Sequence, residues 1–178
     1  MRYRQESMSN QTEDHTASLD SIRSMVMMAL FAALIALGAQ LSIPLGPVPI
    51  VLTNLFVLLA GLMLGPRYAL GTVALYLLMG SIGLPVFAQA KGGFAHILGP
   101  TGGYLVGFLV AAGLTAMTRV GLERLVARDK TPTTFVRPLS DITATVVGTA
   151  AIYVVGVPWL KMVTAMSWER AAAAGLIP

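Results

Sequence analysis

SMVMMALFAALIALGAQLSI, residues 24–43, decides the fold. This stretch is twenty residues long and carries no Asp, Glu, Lys or Arg. A helix needs about 20 apolar residues to cross the hydrocarbon layer of a bilayer, so the stretch predicts a transmembrane helix. Outward from it the pattern repeats. Pro44, Pro47 and Pro49 cannot continue a helix and mark a short connector at 44–49. Further apolar runs follow at 50–65, 68–84, 102–121 and 142–157. Pro66-Arg67 punctuates the first of these, a connector at 85–101 follows the second, and Pro158 ends the last. The expectation is an all-α, polytopic transmembrane helical bundle with five spans.

Composition agrees. Of 178 residues, 56% are hydrophobic and 11% charged, against about 25% charged in soluble domains. A single small core cannot bury that much apolar surface. The chain has no cysteine, which removes disulfides, thiolate metal sites and cysteine nucleophiles. A net charge of +4 does not point to nucleic acid, because the basic residues sit at the ends of apolar runs and form no aromatic-interleaved patch. Residues 1–20 are polar without an apolar period, so the boundary falls after residue 21, with a disordered cytoplasmic tail at 1–21 and the membrane domain at 22–178. Ser167, followed by 169–174 and Gly175, predicts a short capped helix at the membrane interface.

Orientation follows from Lys and Arg near the span ends. With the N-terminus inside, the inner segments hold Arg2, Arg4, Arg23, Arg67, Arg119, Arg124, Arg128, Lys130 and Arg137, and the outer segments hold Lys91, Lys161 and Arg170. Nine against three puts the tail and the 119–137 region in the cytoplasm and the connectors 44–49 and 85–101 outside.

Few residues stand out from the apolar background. Ala29 and Ala33, and Ala32 and Ala36, lie one turn apart and flatten a stripe on the first span, suited to internal packing or to docking a separate membrane subunit. Gly61/Gly65 and Gly103/Gly107 share that spacing and are assigned to internal packing. Gln40, Thr53 and Asn54 are polar groups near outer span ends. A buried amide needs a partner, and for Asn54 that is a ligand or a neighbouring helix. The connector 85–101 has the glycine and proline density of a binding loop. Lys91 is the one Lys or Arg between Arg67 and Arg119, suited to a carboxylate at the outer mouth or to a solvated loop. His96 has no second ligand at metal spacing, so no metal site is expected.

Enzyme readings fail on spacing. Gly80-Ser81-Ile82-Gly83 is no nucleophile turn. Gly99-Pro100-Thr101-Gly102-Gly103 lacks the Gly-Lys-Ser/Thr ending of a phosphate-binding loop. Asp141 stands alone at a span edge, with no second carboxylate for a proton relay. No catalytic residue and no cofactor are expected.

Three motifs, in order, carry a resemblance: residues 42–50 (SIPLGPVPI), 83–88 (GLPVFA) and 98–104 (LGPTGGY). They resemble the BioY family, the biotin-specific substrate-capture (S) components of energy-coupling factor transporters, over roughly residues 22–178. The resemblance implies a six-helix bundle that captures biotin from outside in a bacterial cell (inner) membrane, multi-pass with its N-terminus cytoplasmic. It also implies an alanine stripe (Ala29, Ala32, Ala33, Ala36) docking on a transmembrane coupling subunit that two ATPase subunits drive. Biotin needs hydrogen-bonding groups for its ureido ring, aromatic walls and a cation for its carboxylate. Asn54, Gln89, Lys91 and Tyr104 are the candidates. Family members usually read Pro-Ile-Thr-Leu-Gln-Thr where this chain has 49–54 as PIVLTN. They also continue into a Pro-Gly-Asp-x-x-Lys motif opening a sixth helix, so the membrane domain is expected to be C-terminally incomplete and its pocket weakened. The alternatives are a non-catalytic membrane scaffold and an S component for a different small vitamin.

Overall fold

The computed structural model describes residues 2–43, 48–127 and 133–176. The elements are α1 (Arg2–Gln40), β1 (Ser42–Ile43), β2 (Ile50–Val51), α2 (Thr53–Ser81), a 3-10 turn (Ala88–Ala90), α3 (Phe94–Ile97), α4 (Gly102–Ala127), α5 (Thr133–Thr164) and α6 (Trp168–Leu176). Among the described residues, four helices are long and apolar enough to cross a membrane: Ser21–Gln40, Thr53–Ser81, Gly102–Leu125 and Arg137–Thr164. The chain is an all-α bundle, and α4 is its centre, packed on α5 and α2, while α1 packs on α2. Ala111, Ala112 and Ala116 on α4 are fully buried, because side chains this small let helices approach closely and gain contact along their length.

The bend in α2 organises the bundle. Gly65 has φ 74 and ψ 167, a backbone region open to glycine and costly for other residues. Pro66 follows and lacks the N–H that would close the next helical turn. The two arms, 53–64 and 66–81, fold back on each other. Thr53 and Tyr76 border one cavity with Ala39 of α1, while Met63, Leu64 and Tyr68 gather beside Arg23 near the other end of α1. The bundle thus has a connector end, with Ala39, Thr53, Tyr76 and Gly102, and an opposite end, with Arg23, Gly65 and Arg119.

Several boundaries differ from the sequence expectations. α1 is continuous from Arg2, through the tail expected to be disordered; residues 2–20 hold no Pro or Gly, and an already nucleated helix extends at the cost of one residue per hydrogen bond. Ile50 and Val51 pair antiparallel with Ile43 and Ser42, so helix begins at Thr53 and not at residue 50. Pro158 lies inside α5, which runs on to Thr164; membrane helices tolerate proline where neighbouring helices relieve the freed carbonyl. Arg128 and Lys130, used to orient the chain, and residues 44–47 of the first connector lie outside the described residues. A short helix does occur at α6.

Candidate ligand-binding site

The connector end encloses a cavity of about 100 Å³ bordered by α1, the β ribbon, both arms of α2, α4, α5 and α6. A single water needs about 10–15 Å³ of such space, so the cavity suits a small organic molecule. Aromatic rings form part of its walls, beside aliphatic and small side chains. Tyr76 and Phe87 meet edge to face at 5.5 Å, Tyr104 and Tyr153 at 6.4 Å, and Phe108 adds another ring.

Two polar atoms in this wall lack partners. Thr53 Oγ1 and Asn54 Oδ1 are buried and form no hydrogen bond among the described residues. Elsewhere in the bundle Thr72, Thr143, Thr145 and Thr164 donate to the carbonyl four residues back. Thr53 opens α2, so no carbonyl of its own helix lies within that reach. An unpaired buried polar group costs about 1–3 kcal/mol, a cost that a bound ligand would relieve.

The connector is held by side chains from the spans. Gln40 donates to the carbonyls of Pro85 (3.1 Å) and Phe87 (3.2 Å) and accepts from the Ala90 N–H (3.1 Å). This brace fixes a segment in which Gln89 and Ala90 adopt φ of 61 and 56, a region that L-residues occupy only under constraint. At the other end of the connector, Trp159 Nε1 donates to the Gly99 carbonyl at 3.0 Å. A Cβ on Gly103 would lie 2.2 Å from Trp159 Cβ, so α4 and α5 meet here only because position 103 has no side chain. These contacts account for the GPTGGY stretch: Thr101 accepts the Tyr104 N–H at 3.0 Å, and Tyr104 donates to the Gly175 carbonyl at 3.3 Å, joining α6 to the wall.

A second, outer cavity adjoins the first. It is lined by Pro49, Ala88, Gln89, Lys91, His96, Pro100 and Thr101, and Pro49, Ala88, His96 and Thr101 border both spaces. The predicted residues divide between them: Asn54 and Tyr104 border the inner cavity, and Gln89 and Lys91, both exposed, the outer one. Thr53, Tyr76, Phe87, His96, Thr101 and Tyr153 were not predicted as ligand contacts. Burial first, and the Lys91 charge second, hold the His96 imidazole below its ordinary pKa. Among the described residues no group of three or more His, Asp or Glu could hold a metal.

The alanine stripe lies along a separate groove between α1 and the second arm of α2, with Leu75, Met79 and Val86 opposite. Ala29 and Ala33 are exposed and Ala36 half-buried, whereas Ala32 is 1% exposed. Ala32 therefore packs within the chain, Ala36 packs partly against the core, and Ala29 and Ala33 face outward.

The comparisons with known proteins agree with this architecture. A probable biotin transporter BioY from Pyrococcus horikoshii is 36% identical over 152 residues, 85% of this chain and 82% of that protein. Another from Lysinibacillus sphaericus is 38% identical over 165 residues, 88% of this chain and 77% of that one. A crystal structure of the S-component for biotin from an ECF-type ABC transporter superposes with a TM-score of 0.76 at 28% identity, covering 89% of this chain and 82% of its own. The model of the BioY family matches residues 8–178, and the chain belongs to that family.

Proposed function

We propose that this protein captures biotin at the connector end of its bundle, as the substrate-binding membrane subunit of an energy-coupling factor transporter. The observation that supports this most is the pair of buried, unpaired oxygens, Thr53 Oγ1 and Asn54 Oδ1, in an aromatic-walled cavity of a BioY-family chain. Biotin's ureido group presents two N–H donors, which these oxygens are suited to accept. Its fused apolar rings fit against Tyr76, Phe108 and Tyr153. Its acyl chain then passes His96 and Thr101 to the outer cavity, where Gln89 and Lys91 meet the carboxylate. Lys91 is exposed, so the carboxylate keeps much of its hydration and avoids the large cost of burying a charge. Capture of this kind needs no bond-making group. A purely structural scaffold would not account for two orphaned oxygens on adjacent residues that border one cavity.

The same proposal counts each arm of α2 as one pass, giving five, with the connector outside and the N-terminus in the cytoplasm of a cell-membrane protein. The exposed Ala29 and Ala33, with the accessible part of Ala36, would meet the transmembrane coupling subunit that two ATPase subunits drive. In cells, an impermeant thiol reagent should label Lys91→Cys and spare Glu13→Cys; the reverse pattern would invert the orientation.

Saturation binding of radiolabelled biotin to the purified chain in detergent tests the function. Unlabelled biotin should displace the label, biotin methyl ester should displace it less well, and thiamine or riboflavin should not displace it. No saturable binding, or displacement by thiamine, would overturn the reading.

A further inference from the structure

His96 stands where the two cavities meet and lines both. Its orientation is set from two directions. One face stacks on Phe87, with centroids 5.4 Å apart and planes 25° from parallel, and Nε2 lies 3.2 Å from Thr101 Oγ1. Phe87 is fully buried, so the stack anchors the ring to the core. We infer that His96 is a second reader of the ligand's carboxylate, a titratable group at the passage between cavities that takes up a proton as an acidic ligand binds. The inference rests on the reading of the site as a biotin site and extends it to how the acid is told from its neutral derivatives.

The charges around the ring favour this. The residues that line the two cavities include Lys91 and His96 and no Asp or Glu. The other titratable groups on those walls are Tyr76 from α2, Tyr104 from α4 and Tyr153 from α5, and phenols stay neutral across the range in which histidine titrates. α1 and β2 contribute Ala39 and Val51, which carry no charge. Partial burial and the nearby Lys91 disfavour the imidazolium, so the free site holds a neutral His96 at neutral pH. A carboxylate bound between Lys91 and His96 offsets the Lys91 charge and favours the imidazolium. The imidazole pKa is then higher in the complex than in the free protein. The added affinity is complete below the free-protein value and is lost as pH rises through the value in the complex. Each unit of difference is worth about a tenfold change in affinity.

Isothermal titration of the full chain in detergent tests this, at about pH 8, 7 and 6, in paired buffers of different ionisation heat that report proton uptake. The pH values stay above the ordinary carboxylate range of about 4–5, so biotin remains ionised. Biotin is expected to bind several-fold to about tenfold more tightly at the lowest pH than at the highest, with net proton uptake. Biotin methyl ester should show no such slope. His96→Gln keeps a hydrogen-bonding side chain near Thr101 but cannot gain charge, and should lose the slope for biotin. A flat profile for biotin in the unaltered protein, or the same slope in the ester or in His96→Gln, overturns the inference while leaving biotin capture intact. If His96→Gln does not fold, the acid-against-ester comparison decides alone. If neither ligand binds at any pH, the biotin reading falls, and this inference with it.

Discussion

The two ends of the bundle hold buried polarity differently, one by pairing opposite charges and the other by leaving neutral acceptors unpaired. At the end opposite the connector, Arg119 gathers its neighbours. Its Nε lies 2.8 Å from Asp141 Oδ1 and 3.4 Å from Glu123 Oε1, and Nη1 donates to the Leu62 carbonyl. Leu62 is four residues before Pro66, and a proline has no N–H to offer that carbonyl. Arg119 thus supplies the donor that the α2 bend removes and ties α2, α4 and α5 together. At the connector end, Thr53 and Asn54 border a cavity, and their buried Oγ1 and Oδ1 are left unpaired. Paired opposite charges mark the end built for stability, although Arg119 Nε and Asp141 Oδ1 meet as an ion pair without hydrogen-bond alignment, and unpaired neutral acceptors on residues that border a cavity mark the end built for a ligand. If that contrast is sound, mutations at the two ends should move different observables.

The largest effect is expected at Arg119. Arg119→Met keeps the apolar stem but strands the Leu62 carbonyl and leaves Asp141 facing only Glu123's charge. Hydrogen bonds to charged groups contribute about 1.5–3 kcal/mol each; because both partners are partly exposed, a total loss of about 2–3 kcal/mol is expected. A lowered unfolding midpoint in detergent, with biotin affinity of the folded fraction unchanged within about twofold, is the predicted result, since distant sites behave additively. An unchanged midpoint with lost binding would break the comparison at its strongest point.

The opposite outcome is expected at Thr53. Thr53→Val preserves shape and deletes an oxygen that has no partner in the free protein. Removing an unsatisfied buried hydroxyl should raise stability by about 1 kcal/mol while weakening biotin binding roughly tenfold. The unfolding midpoint and the saturation curve of one preparation check both halves. A fall in stability would mean that Thr53 serves the fold and not the ligand.

How much of this was legible in the sequence depends on the kind of signal. Spans were legible because charge-free stretches of bilayer length have few other readings. The bend at Gly65 was legible through Pro66, although the helical hydrogen bonding resumes so quickly that one helix, Thr53–Ser81, contains both arms. Pro158 misled, because whether a proline ends a helix depends on neighbours that the local sequence does not reveal. Residues 50–51 misled likewise, since their strand pairing is with residues 42–43 and not with anything adjacent. In the site, Asn54, Gln89 and Lys91 stood out as rare polar groups in apolar surroundings. Tyr76 and Tyr153 did not, because an aromatic ring inside a span looks the same whether it packs on a helix or walls a cavity, and Phe87 did not, because the connector sequence alone does not show that its ring turns into the core. Gln40 reads in the sequence only as a polar group near a span end; its work is to brace the connector, which only the fold reveals. The sequence shows His96 only as a lone imidazole, and its position between two cavities is a tertiary fact.

Thr115 offers the smallest effect and the sharpest control. Like Thr53 it is fully buried, and its Oγ1 is unpaired among the described residues. Unlike Thr53 it borders neither cavity at the connector end. It sits in the helix crossing itself, where a Cβ on Gly61 would come within 2.9 Å of Thr115 Cβ and one on Gly148 within 2.0 Å of Thr115 Oγ1. Contact with the glycine Cα–H groups of neighbouring helices gives such an oxygen a weak partner worth about 0.5–1 kcal/mol. Thr115→Val deletes that weak contact together with the unsatisfied hydroxyl, and the two consequences oppose each other. The expected stability change is therefore under about 1 kcal/mol in either direction, with biotin affinity unaltered. Paired unfolding and binding measurements on Thr53→Val and Thr115→Val isolate position from chemistry, because the atom removed is the same. If Thr115→Val weakens binding as much as Thr53→Val does, an orphaned hydroxyl anywhere in the bundle influences capture through the packing of the helices, and proximity to the cavity is not what makes Thr53 matter.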